Sequence, residues 1–118
     1  MEVKTIITII FWILVAAFIV PGYIQGFQKI FSQKEKVEAF TKWGFSLTFM
    51  KLLGWAEVVG STLLLLPQTR LLSIPIYAVL LSGAVYTHIK NNDAKKDRVT
   101  PIFVGVHLIA LLTLTYWM

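Results

Sequence analysis

The chain has 118 residues, 57% of them hydrophobic and only 14% charged, with a formal net charge of +5 and no cysteine. A soluble domain carries about 25% charged residues, so there are too few polar groups here to cover a water-exposed surface, and lipid must solvate much of the chain. The missing cysteine excludes disulfides, thiolate metal sites and thiol redox chemistry carried by the chain itself, and the basic excess lies between apolar runs, where it marks a membrane face and no nucleic-acid surface.

A membrane-spanning helix needs about 20 mainly apolar residues, and four segments meet that requirement. The first runs from about Thr5 to Ile24 and extends toward Ile30 beyond a kink expected at Pro21. Glu2-Val-Lys4 precedes it in the manner of a signal peptide, but the run is long for one and no small-x-small cleavage site follows, so the segment is expected to remain as a span. Phe31 to Phe45 interleaves Lys34, Glu35, Lys36, Glu38 and Lys42 with Val37, Phe40, Trp43 and Phe45. That pattern suits either a short amphipathic helix on the membrane surface or a solvated loop with aromatic anchors.

The second span covers about Ser46 to Leu66 and is stopped by Pro67. Gln68-Thr-Arg70 leaves room only for a hairpin into the third span, about Leu71 to Ile89, with Pro75 in the first turns where proline is best tolerated. Lys90 to Thr100 reads as a polar loop, and the fourth span starts at Pro101, a good first helical residue, and runs to Met118. Barrel strands would alternate in polarity over about ten residues; these runs are uniformly apolar, and in hydrocarbon only helices satisfy their own backbone. The expected fold is one all-α integral membrane domain, an up-down-up-down four-helix bundle.

Lysine and arginine set the orientation. One side carries Lys29, Lys34, Lys36, Lys42, Lys51, Lys90, Lys95, Lys96 and Arg98, the other only Lys4 and Arg70. The positive-inside rule then places both termini outside the cytoplasm.

Residues that hydrocarbon should exclude are the candidates for chemistry. Glu57, near the middle of the second span, must face the protein interior and be either protonated or paired, because a charge there costs about 3 kcal/mol. Met50, Gly54, Glu57 and Ser61 share one helical stripe, small and polar among leucines. Lys51 lies six residues from Glu57 on a different face, where it suits a lysine snorkelling to the headgroups. His88 ends the third span beside Tyr86 and Thr87, and His107 lies two turns into the fourth. The helical rise puts His88, Lys51, His107 and Glu57 at depths of about 3, 7, 9 and 16 Å below the inner boundary.

That convergence allows several readings. A set of structural interhelical hydrogen bonds accounts for it most simply. A pocket for a small apolar molecule with a polar head, such as a quinone or a lipid, also fits. Bis-histidine haem ligation is disfavoured by the differing depths of His88 and His107, and a metal site by the lack of close ligand pairs. Gly22 and Gly26 have the spacing of a helix-association motif, but directly after Pro21 they suit a kink or helix end. No phosphate loop, nucleophile elbow or zinc-protease motif is present.

Lys51-Leu-Leu-Gly54-Trp-Ala-Glu57-Val-Val-Gly60, the following Leu63-to-Arg70 stretch and Gly83-Ala-Val-Tyr-Thr87-His88-Ile-Lys90 resemble the DoxX-like family of small membrane proteins, as does Gly26-Phe-Gln-Lys29. The resemblance implies four membrane helices, with Lys51, Glu57 and His88 at recurring positions of the family pattern; His107 has no match. Some relatives are associated with quinone-linked oxidoreductases, and distant ones resemble assembly factors for ion channels. The function expected is therefore an accessory protein of a bacterial inner membrane, binding a partner membrane protein or a lipid-like molecule. A subunit of a quinone-linked oxidoreductase and a proton or small-solute transporter are the alternatives, and self-association remains open.

Overall fold

A computed structural model describes residues 2–117. Among them the chain is helical, with no strand, and forms five helices: α1 Val3–Ile30, α2 Lys34–Lys42, α3 Leu47–Leu63, α4 Ser73–Lys90 and α5 Lys95–Thr115. A short 3-10 turn, Arg70–Leu72, leads into α4. Three helical stretches are long and apolar enough to cross a membrane: Val3–Ile30, Arg70–Lys90 and Lys95–Thr115. The expected second span is a helix of 17 residues that ends at Leu63, three residues before the boundary read from the sequence.

The other boundaries shift for local reasons. α1 runs through Pro21 to Ile30, although Pro21 cannot donate to the Ala17 carbonyl. Pro101 does not open α5. The helix begins at Lys95, with Asp97 in its first turn against the positive end of the helix dipole, so Lys95 to Thr100 is helix and not loop. Between α1 and α3 the amphipathic helix forms: Gln33 caps α2 by accepting from the Lys36 amide at 3.3 Å, and Phe40 is its buried apolar residue. α3 is capped the same way, by Ser46 accepting from the Phe49 amide at 3.1 Å.

Three helices end on one motif. After α1, α2 and α4 the chain enters the left-handed region at Ser32 (φ 56°), Gly44 (φ 84°) and Asn92 (φ 53°). In each case the next amide reaches back to close the last turn: Gln33 to the Gln28 carbonyl, Phe45 to Phe40 and Asp93 to His88, each at 2.9 Å. This geometry returns the Asp93 side chain onto the end of α4.

α1 packs on α3 and α5, and α4 packs on α3 and α5. Phe11, Val15, Phe18, Leu64, Tyr77, Leu108, Leu111 and Leu112 form the buried core. Outside it, large apolar side chains stand uncovered on every long helix, among them Ile13 (62%), Leu52 (62%), Val79 (73%) and Phe103 (69%). Water would not tolerate so much apolar surface; lipid does.

In lipid no hydrophobic force draws the helices together, so backbone approach through small residues takes over. The pair Gly22 and Gly26 serves this purpose within the chain. A β-carbon on Gly26 would meet the Gly54 carbonyl at 2.8 Å, and one on Gly22 would meet Ser61 Oγ at 2.4 Å. No helix end occurs at these glycines: α1 continues through them, and they lie at a close part of the α1–α3 contact.

At the far end of the molecule Arg70 is buried, with 3% exposure. Its Nε donates to the Leu64 carbonyl at 2.8 Å, and its guanidinium carbon lies 4.6 Å from the Phe11 ring centre and 5.7 Å from that of Trp12. It thereby satisfies a free carbonyl at the C-terminal end of α3, where a cation also suits the helix dipole.

Candidate functional site

The α3 stripe bearing Gly54, Glu57 and Ser61 turns toward protein, since Gly54 and Ser61 are both buried. Glu57 is paired: Lys29 Nζ, from the last turn of α1, donates to its Oε1, and the two side chains are 14% and 15% exposed. The continuation of α1 past Ile24 to Ile30, nearly two turns, is what brings Lys29 to Glu57. The second carboxylate oxygen has no hydrogen-bond partner among the described residues.

Polar groups around the pair hold α3 in register. Tyr77 of α4 donates to the Glu57 carbonyl at 3.2 Å. Its only proton being used there, Ser61 must donate to the Tyr77 hydroxyl across 2.8 Å. By the same logic Tyr23 donates to Thr62 at 2.7 Å, because Thr62 already donates to the Val58 carbonyl. Lys36 of α2 donates to Gln25, which stands one turn from Lys29 on α1.

The remaining sequence candidates lie elsewhere. His88 Nδ1 bonds Asp93 Oδ2 at 2.7 Å, and the same carboxylate accepts from Lys42 Nζ at 2.8 Å and Trp43 Nε1 at 3.0 Å. His107 Nε2 bonds the Leu14 carbonyl at 2.8 Å and its ring stands edge-on to Phe18. Tyr86 is 65% exposed, and Lys51 is exposed on the other side of α3 from Glu57. Depth had suggested one cluster, but helix rotation separates these groups: Glu57 and Ser61 belong to one site, and Lys51, Tyr86, His88 and His107 do not join it. Gln25, Lys29, Lys36, Tyr77 and Asp93 were missed. Asn92-Asp93 directly after a helix carried a signal, since a left-handed asparagine folds the next side chain back onto the helix end.

Asp93 ties α2 to the end of α4. Its side chain is 4% exposed yet charged. The hydrogen bond from Lys42, followed by those from His88 and Trp43, outweighs burial and holds the carboxyl at about 2, below its usual value. A carboxyl whose folded value is depressed adds stability above its unfolded value of about 4, and this is lost as pH falls toward about 2. Asp93→Asn removes the charge at every pH. Amide hydrogen exchange across α2 is expected to rise by at least tenfold in this variant at neutral pH, while exchange in α1 stays unchanged. Equal protection of α2 in both proteins would show that Asp93 does not hold it.

The description of the DoxX-like family matches residues 9–112. The chain belongs to the DoxX-like family. The match spans α2 and α3 as well as the three long apolar helices, so the Lys29–Glu57 site and the Asp93 contacts both lie within the DoxX-like region. No curated protein and no solved structure matches the chain. The DoxX-like assignment and the apolar helices identify a small membrane protein.

Proposed function

We propose that this DoxX-like protein is a non-catalytic accessory protein that holds a lipid-like small molecule, such as a quinone, by its polar head at Lys29 and Glu57. In this reading α3 crosses the bilayer with α1, α4 and α5, since 17 residues rise about 25 Å and the range for spans begins at about 17 residues. The result is an up-down-up-down bundle in a bacterial inner membrane with both termini outside the cytoplasm.

The supporting observation is Glu57. An ion pair between two spans is costly unless its remaining lone pairs and protons are used, and here a carboxylate oxygen and ammonium hydrogens remain open at 14–15% exposure. A quinone carbonyl would accept from Lys29, and the hydroxyl of its reduced, quinol form would donate to the open oxygen of Glu57.

Native mass spectrometry of the full chain, released from several mild detergents, tests the reading. The wild type is expected to carry an amphipathic adduct that the paired substitution Lys29→Met with Glu57→Leu removes. A wild type that emerges empty from every detergent, or a paired variant that keeps the adduct, overturns it.

A further inference from the structure

Polar side chains from three helices meet at the end of the α1–α3 contact: Gln25 and Lys29 from α1, Lys36 from α2 and Glu57 from α3. Their charges do not cancel. Lys29 bonds Glu57, while among the described residues the Lys36 ammonium bonds the neutral amide of Gln25; the further carboxylate beside it, Glu35, is exposed to water. Burial, and then the charge of Lys29, holds the Lys36 ammonium below the usual lysine range, against the opposing pull of Glu57 and Glu35. A lysine on a surface helix has water available, as exposed Lys34 shows two residues earlier on α2; Lys36 instead turns toward the pair. The site therefore holds a surplus cation together with one open carboxylate oxygen.

We infer that this site takes a phosphate ester of a polyol: the phosphate sits between Lys36 and Lys29, and a hydroxyl of the ester donates to the free oxygen of Glu57. The inference rests on the ligand-binding reading above and names the chemistry of the head. Charge-assisted bonds from both lysines recognise the phosphate, and an ionised carboxylate, which only accepts, requires a donor such as a hydroxyl. Such an ester occurs as a lipid head group and as a free metabolite, so the test includes both.

The full chain, stripped of lipid in detergent, is titrated in native mass spectrometry with phosphatidylglycerol, phosphatidylmethanol, phosphatidylcholine and a neutral quinone, and separately with glycerol phosphate. Phosphatidylglycerol is expected to bind best, phosphatidylmethanol (the same charge without head-group hydroxyls) less well, and phosphatidylcholine least. Lys36→Gln should weaken both anionic lipids by about fivefold, the factor that one lysine carries at an anionic surface, and Lys34→Gln should leave them unchanged. Displacement of phosphatidylglycerol by equimolar glycerol phosphate would confirm the chemistry and assign its source to the aqueous phase. Equal binding of phosphatidylglycerol and phosphatidylcholine, or equal effects of the two lysine variants, overturns the inference. Retention of the quinone alone overturns it while leaving the ligand-binding reading standing, and retention of nothing overturns both.

Discussion

Replacing Lys29 with methionine is expected to destabilise the folded chain by about 3 kcal/mol, the low end of the cost of leaving one partner of an ion pair without the other, because this pair is only partly buried. Glu57→Leu should cost less, about 1–2 kcal/mol, because the two partners have different escapes. Lys29 lies in the last turn of α1 and can extend its four-carbon stem to the headgroups. Glu57 lies in mid-helix on a shorter stem, so its carboxylate stays in the α1–α3 contact when Lys29 is removed. The paired variant, with neither charge, should return to within about 1 kcal/mol of the wild type, since an apolar pair of similar volume replaces an ionic one at little net cost. Reversible unfolding in mixed detergent micelles measures all three. Additive losses in the paired variant would mean that the two residues act independently and that the ion pair does not hold α1 to α3.

The second large effect falls on Gly54. Gly54→Ala places a β-carbon 2.6 Å from the Gly26 carbonyl and 2.9 Å from Lys29 Cβ, against backbone and the root of a side chain, neither of which can swing away. Alanine is the better helix former by about 1 kcal/mol, but the helices must part along their closest contact, and overpacking of this kind costs about 1–3 kcal/mol. The net result expected is a loss of up to about 2 kcal/mol, with weakened pairing of Lys29 and Glu57. Gly83→Ala is the matched control. Nothing lies within 4 Å of its added carbon, so the propensity gain should appear alone, as a rise of up to about 1 kcal/mol. Thermal unfolding of the two variants in one detergent compares them directly. A stabilised Gly54→Ala would show that α1 and α3 do not approach at this point.

The contrast between these glycines shows what was legible in the sequence. Lengths of apolar run announced the long helices, because bilayer thickness fixes helix length whatever the helix packs against. The need for a partner at Glu57 was also readable, since hydrocarbon forbids a lone charge. Which partner was not. Lys29 was counted only toward the charge of one membrane face, and an α1 that continues to Ile30 carries its side chain inward. Lys51, His88 and His107 seemed to converge with Glu57 because depth follows from sequence position alone. The rotation of each helix about its axis does not, when apolar residues surround the helix and leave no polar face to orient it. Asp93 was missed for a related reason: its donors Lys42 and Trp43 stand at the end of α2 and at the cap just after it, more than forty residues earlier in the chain.

Arg70 has a bearing on how the protein enters the bilayer. In the proposed topology it lies on the connection between α3 and α4 and must be carried across the membrane. Its guanidinium then rests on Phe11 and Trp12, both of α1, while its Nε holds the Leu64 carbonyl at the end of α3. The hairpin of α3 and α4 alone would therefore give this arginine one carbonyl and neither aromatic face, and α1 completes its surroundings.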